Sequence, residues 1–146
     1  MAETPVIDHV GWQVSDYAKS IKFYDAALKP LGWKKLMEFK WDGGKTAGYG
    51  TGGKAFLWLS TGGKTAPHIH FAFGASSHAV VDAFYKAAMK AGGRDNGKPG
   101  LRPEYHQNYY AAFVLDPDGH NIEAVTHAPA AARKAAAKKA TKKKTK

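Results

Sequence analysis

The chain has no cysteine among its 146 residues. Disulfides and thiolate metal sites are therefore excluded, and any bound metal takes nitrogen or oxygen ligands. Long apolar runs are also missing: no stretch approaches the roughly 18 residues that a membrane-spanning helix needs. The first residues, Met1 to Pro5, have neither the basic start nor the apolar run of a signal peptide. The expectation is a soluble, cytoplasmic protein with no membrane partner. Acidic residues are few and unevenly placed. There are 12 Asp and Glu against 22 Lys and Arg, and none lies between Asp42 and Asp82. The net charge of +10 is concentrated at one end. From His127 to Lys146 there are eight basic residues and no acid, and removing those eight charges leaves Met1 to Thr126 at +2.

What is present is enough for a folded core, with 44% hydrophobic and 12% aromatic residues. Residues 9–32 repeat at residues 70–93 with an offset of 61 and no gap. His9 falls on His70, Phe23-Tyr24 on Phe84-Tyr85, Ala26-Ala27 on Ala87-Ala88 and Gly32 on Gly93. A duplicated unit of this length is a marginal core alone, so the two copies must pack together. In the first copy, Val6 to Val14 reads as a strand, and Ser15 or Asp16 can cap the helix that follows. Tyr17, Ile21, Tyr24 and Leu28 fall on one face of that helix, which Lys29 to Gly32 stops. Strands are expected over Trp33–Trp41, Thr46–Gly50 and Ala55–Ser60. In the second copy, His68 to Phe73 is a strand, Ser76 or Ser77 caps a helix, and Asn96 to Gly100 reads as a loop. Two further strands, Tyr109–Leu115 and Asn121–Thr126, are joined by the turn Asp116-Pro117-Asp118-Gly119. Each copy reads as strand–helix–strand–strand–strand. Packed side by side, the copies would form a curved sheet with a concave face where a ligand sits.

Three residues on these strands suit metal chemistry. His9 and His70 hold equivalent places in the two copies, and Glu123 lies in the last strand. Two neutral imidazoles and a carboxylate can hold a divalent ion (Fe, Mn, Ni, Co or Zn) and leave positions open for substrate or water. His68, two residues before His70, points to the same face and is an alternative ligand or a pocket residue. The stretch Lys98 to His106 is basic and aromatic and reads as a loop that covers the cleft, with Arg102 meeting an anionic or aromatic substrate.

Ile7-Asp8-His9-Val10, Phe23-Tyr24, His70-Phe71-Ala72-Phe73 and Phe113 to Glu123 together resemble the vicinal oxygen chelate superfamily. That group includes glyoxalase I, extradiol dioxygenases, fosfomycin resistance enzymes and bleomycin-binding proteins. The resemblance covers residues 5–127 and implies an α+β fold of two βαβββ modules, about 5–61 and 66–127, forming a curved mixed sheet around a cleft. It implies a metal-dependent enzyme acting on a small substrate that chelates the ion through adjacent oxygens, and a homodimer. Glyoxalase I-like members take a fourth ligand, a glutamate, from the last strand of the first module. Here that strand is Ala55 to Ser60, with no acid. The remaining set resembles that of extradiol dioxygenases, for which Tyr110, Tyr105 and His106 are the acid/base candidates. The alternative is a metal-free, bleomycin-resistance-type protein that sequesters a ligand in an aromatic groove formed by Trp12, Trp58 and Phe73. Residues 128–146, Lys- and Ala-rich, read as a disordered tail with weak, nonspecific affinity for nucleic acid.

Overall fold

Val10–Val14 alternates exposed and buried side chains and forms strand β1. Asp16 then accepts a hydrogen bond from the amide of Lys19 at 3.1 Å and starts helix α1, Tyr17–Leu28. Ser15, the other candidate cap, is spent elsewhere: its amide and hydroxyl both donate to Asp118. A single 3-10 turn, Lys29–Leu31, closes at Gly32, whose φ of 78° is the left-handed conformation that glycine adopts without cost. Strands β2 (Lys34–Trp41), β3 (Gly44–Thr51) and β4 (Lys54–Thr61) complete the first half. The second half runs β5 (His70–Gly74), α2 (His78–Lys90), β6 (Arg94–Leu101), β7 (Tyr110–Leu115) and β8 (Asn121–Thr126). Ser77 caps α2 through the amide of Val80 at 3.2 Å. The computed structural model describes residues 7–130. The Lys-rich segment 131–146, to which the nucleic-acid expectation belongs, lies outside the described residues.

Each half forms its own four-stranded mixed sheet, in the orders β1-β4-β3-β2 and β5-β8-β7-β6. In both, the first strand of the half pairs parallel with the last, and the other pairs are antiparallel. The α+β fold of two repeated units is as the sequence implies. One element differs. The expected loop at Asn96 to Gly100 is part of β6. Its pairing with β7 shifts register between Asp95 and Gly97 and again between Gly97 and Gly100. A strand at the edge of its sheet, broken by bulges, tolerates Pro99 and two glycines that a central strand would not.

One face of each sheet packs on the helices. Leu57, Leu59, Ala47 and Tyr49 of the first sheet and Ile122, Ala124, Ala112 and Val114 of the second are fully buried, together with Phe23, Tyr24, Val81 and Phe84 of the helices. The halves share this core, and α1 packs against α2. Trp12, expected in the ligand pocket, belongs here instead. It pairs with Leu59 across the sheet, is 7% exposed and packs edge-on to Tyr24 and against Phe71. Gly93, the repeat partner of Gly32, is needed for a different reason. A Cβ there would come within 2.4 Å of Val114 Cγ1 and 2.9 Å of the Phe23 ring, so the close approach of the halves demands a residue without a side chain.

The seam also carries buried polar groups. The Tyr24 hydroxyl donates to Asp116 Oδ2 at 2.7 Å, and Asp116 Oδ1 accepts from the amides of Asp118 and His120 at 3.0 and 2.8 Å. Burial and the neighbouring carboxylate of Asp116 push the Tyr24 phenol well above its ordinary pKa, which keeps it a donor. Among the described residues no helix is long and apolar enough to cross a membrane.

Candidate functional site

The helix-free faces of both sheets stay open, and the period of two along each strand decides what they carry. On the second sheet, His70 pairs with Asn121, Ala72 with Glu123, and Phe113 with Glu123 from the other side. Glu123 is 1% exposed, yet it faces away from the apolar core. One of its oxygens accepts the Tyr109 hydroxyl, and the other lies 3.0 Å from His70 Nε2.

The tautomer of His70 follows from its second nitrogen. Nδ1 sits 3.1 Å from the carbonyl oxygen of Asn121, which can only accept, so Nδ1 carries the hydrogen. In the neutral ring the Nε2 lone pair then faces Glu123 Oε2. Two acceptors at that distance repel unless a positive species is shared between them. Either the ring takes a second proton or a metal ion binds both. Ligands about 2.1 Å from one ion and at a right angle to each other stand about 3 Å apart, so the separation suits a shared ion. The Asn121 carbonyl and the Tyr109 hydroxyl act as the outer partners that fix the two donors. Burial, and then the hydrogen bond to Glu123, raise the Tyr109 phenol to about 12, so it holds its proton on the carboxylate throughout the physiological range.

His9 has the same preparation on the other sheet. Its Nδ1 lies 2.7 Å from Asp8 Oδ1, and Lys54 Nζ grips the second Asp8 oxygen at 2.7 Å. The hydrogen bond from Lys54, then that from His9, lower the Asp8 pKa, which keeps it an anionic acceptor. His9 Nε2 is thereby presented outward. Its ring opens onto a cavity of about 440 Å³ with Met37, Lys54 and Trp58, all from the first half.

Within one chain His9 does not join His70 and Glu123. Among the described residues no three His, Cys, Asp or Glu side chains gather where one ion could be held. The other expected site residues separate cleanly. Trp58 is on the open face, at the His9 cavity. Arg102 sits on the second open face, its guanidinium 5.6 Å from the centre of the Phe113 ring, which in turn stacks on His70. Arg102 also donates to the Lys98 carbonyl at 2.7 Å, which pins the loop it belongs to. Tyr105 is 63% exposed and touches only the edge of Tyr109, and His106 meets His127 edge-on. His68 is exposed and precedes β5. Tyr110 lies on the helix side: its hydroxyl donates to Asp82 of α2 at 2.6 Å and its ring stacks on His78. The tyrosine beside the carboxylate is Tyr109. Counting across the turn finds it, because Phe113 pairs with Glu123 and therefore Tyr109, not Tyr110, shares that face.

A family model for the Glyoxalase/Bleomycin resistance protein/Dioxygenase superfamily matches residues 6–124, and the chain belongs to that superfamily. Among solved structures it is similar to a glyoxalase/bleomycin resistance protein from Albidiferax ferrireducens, with 29% identity and a TM-score of 0.66 over 86% of this chain and 100% of that one. It is similar in fold to glyoxalase I from Zea mays, with 24% identity and a TM-score of 0.64 over 82% of this chain, but it spans only 45% of the maize chain. Leishmania major glyoxalase I shares the fold at 22% identity and a TM-score of 0.56, with 97% of this chain and 98% of that one covered. Comparison with curated proteins gives no match.

Proposed function

We propose that this chain is a metal-dependent enzyme whose site is completed between two copies, with His9 of one and His70 and Glu123 of the other holding a divalent ion. The observation that carries this is the His70–Glu123 pair, with its tautomer fixed and two acceptors 3.0 Å apart. The pairing of copies is supported by what one chain leaves open: His9 and His70 have side chains 59% and 51% exposed, and Phe39 and Trp41 of β2 are 55% and 52% exposed. A bound ion there supplies Lewis acidity toward two neighbouring oxygens of a small substrate. Glu123 and the two rings orient the ion, Tyr109 holds its proton on Glu123 Oε1, and Arg102 with Phe113 forms the wall beside His70. Trp58 stands where a further carboxylate would be needed, which favours a three-ligand site over the glyoxalase I type.

Titration of the metal-stripped protein with Fe(II), Mn(II), Ni(II), Co(II) and Zn(II) is expected to give one ion per chain. His70→Ala should weaken binding by more than the roughly 10–100-fold that follows loss of an outer hydrogen-bond partner. A wild-type protein that takes up none of these ions would end the reading. Tyr109→Phe removes such an outer partner, so its metal affinity should fall about 10–100-fold while the fold persists. An unchanged affinity would show that the hydroxyl does nothing for the carboxylate.

A further inference from the structure

The repeat that relates the two histidines also relates two positions on the neighbouring strands. Gly11 pairs with Trp58 on the first sheet. Ala72, which lies 61 residues after Gly11, pairs with Glu123 on the second. Trp58 is therefore the structural counterpart of Glu123, so where one sheet presents a carboxylate the other presents an indole.

The surroundings of Trp58 are cleared for it. A Cβ at Gly48 would lie 2.8 Å from Cη2 and from Cζ3 of the ring, and a Cβ at Gly11 would lie 3.2 Å from the Trp58 Cβ. The indole thus lies flat over β3, and Phe39 of β2 continues the surface, stacked on it at 6.0 Å and 16°. Met37 pairs with Gly48 and so stands on the same face. His9 and Trp58 open onto the same cavity, whose polar lining side chains are His9, Asp8 and Lys54. Asp8 and Lys54 are already bonded to each other. The cavity wall therefore offers a flat apolar surface and very little free hydrogen bonding.

We propose that this cavity holds the flat body of the chelating substrate, a conjugated ring with two neighbouring oxygen donors, lying on Trp58 while its oxygens reach the ion held by His9. This rests on the reading of His9, His70 and Glu123 as a shared metal site. A planar ring gains dispersion and quadrupole complementarity from an indole face that an aliphatic chelator does not. A flexible polar chain would lose its water contacts there and find few partners in exchange.

The test compares 2-hydroxybenzoate with 3-hydroxybutanoate by calorimetric titration of the metal-loaded protein. Both offer a hydroxyl and a carboxylate in a six-membered chelate, but only the first is flat. Metal affinity is measured in parallel on every variant. Trp58→Ala is expected to weaken 2-hydroxybenzoate about tenfold, leave 3-hydroxybutanoate unchanged and leave metal affinity unchanged. Trp58→Phe, which keeps a ring, should recover most of the loss. Trp58→Glu should bind the ion more tightly than wild type and lose the flat probe. If the metal binds but Trp58→Ala treats both probes as wild type does, the substrate inference fails and the metal site stands. If wild type binds no metal, the site reading itself fails, and this inference with it.

Discussion

Chains carrying His9→Ala mixed with chains carrying Glu123→Gln, each defective alone, will recover about a quarter of the wild-type metal sites once subunits have exchanged. The figure follows from symmetry. Random pairing puts half of the chains into mixed dimers, and in each mixed dimer one site collects both defects while the other collects none. The requirement arises because His9 lies on one open sheet face and the His70–Glu123 pair on another, with no gathering of the three in a single chain. The matching control mixes His70→Ala with Glu123→Gln. Both changes fall on the second sheet, so every site in the mixture stays broken and nothing should return. Metal stoichiometry, measured by titration after exchange, decides the matter. Absence of recovery in the first mixture would show that copies do not complete each other's sites. Recovery in the control would show that the ion is held by some other set of groups.

Asp116→Ala is expected to cost about 3–5 kcal/mol of stability, which for a chain of this size lowers the melting temperature by about 10–20 °C. Asp116 is 1% exposed and makes three hydrogen bonds, two to the amides of its own turn and one to Tyr24 in the other half. Removing it leaves three buried donors with no acceptor at the contact between the halves. Tyr24→Phe removes one donor and leaves the turn intact, so it should cost only about 1 kcal/mol. Thermal or urea unfolding of both variants checks the order. An Asp116→Ala chain that melts within a degree or two of wild type would mean that the halves are held by apolar packing alone.

Much of this was legible in the residues. The repeat at offset 61 announced two like units, and the capped helices and the Asp116 to Gly119 turn lie where their local chemistry put them. His9, His70, Glu123 and Trp58 share the open faces as the strand period requires. The misses have two causes. Strand β6 was hidden because glycine, proline and asparagine signal a loop, while pairing at a bulged edge asks little of side chains. Trp12 and Tyr110 were placed in the pocket by sequence proximity, although counting by twos from His9 and back across the turn from Glu123 turns both toward the helices. The partners that fix the rings, Asp8 and the Asn121 carbonyl, carry no motif. They depend on backbone register, and a carbonyl is the same in every residue. Whether one chain closes its own cleft was also beyond a pattern of strands and helices, since the packing of α1 on α2 decides it and either arrangement buries the same apolar faces.

The two sheets have no strand in common. The charged donors Glu123 and His70 are rooted in β5 and β8, while the flat aromatic surface grows from β2 and β4. Mutation can therefore reshape what the cavity admits, at Phe39, Met37 or Trp58, without disturbing the anchors on the opposite half. Ancient duplication has left a division of labour: one copy is conservative in its role and its sibling is free to drift toward new cargo.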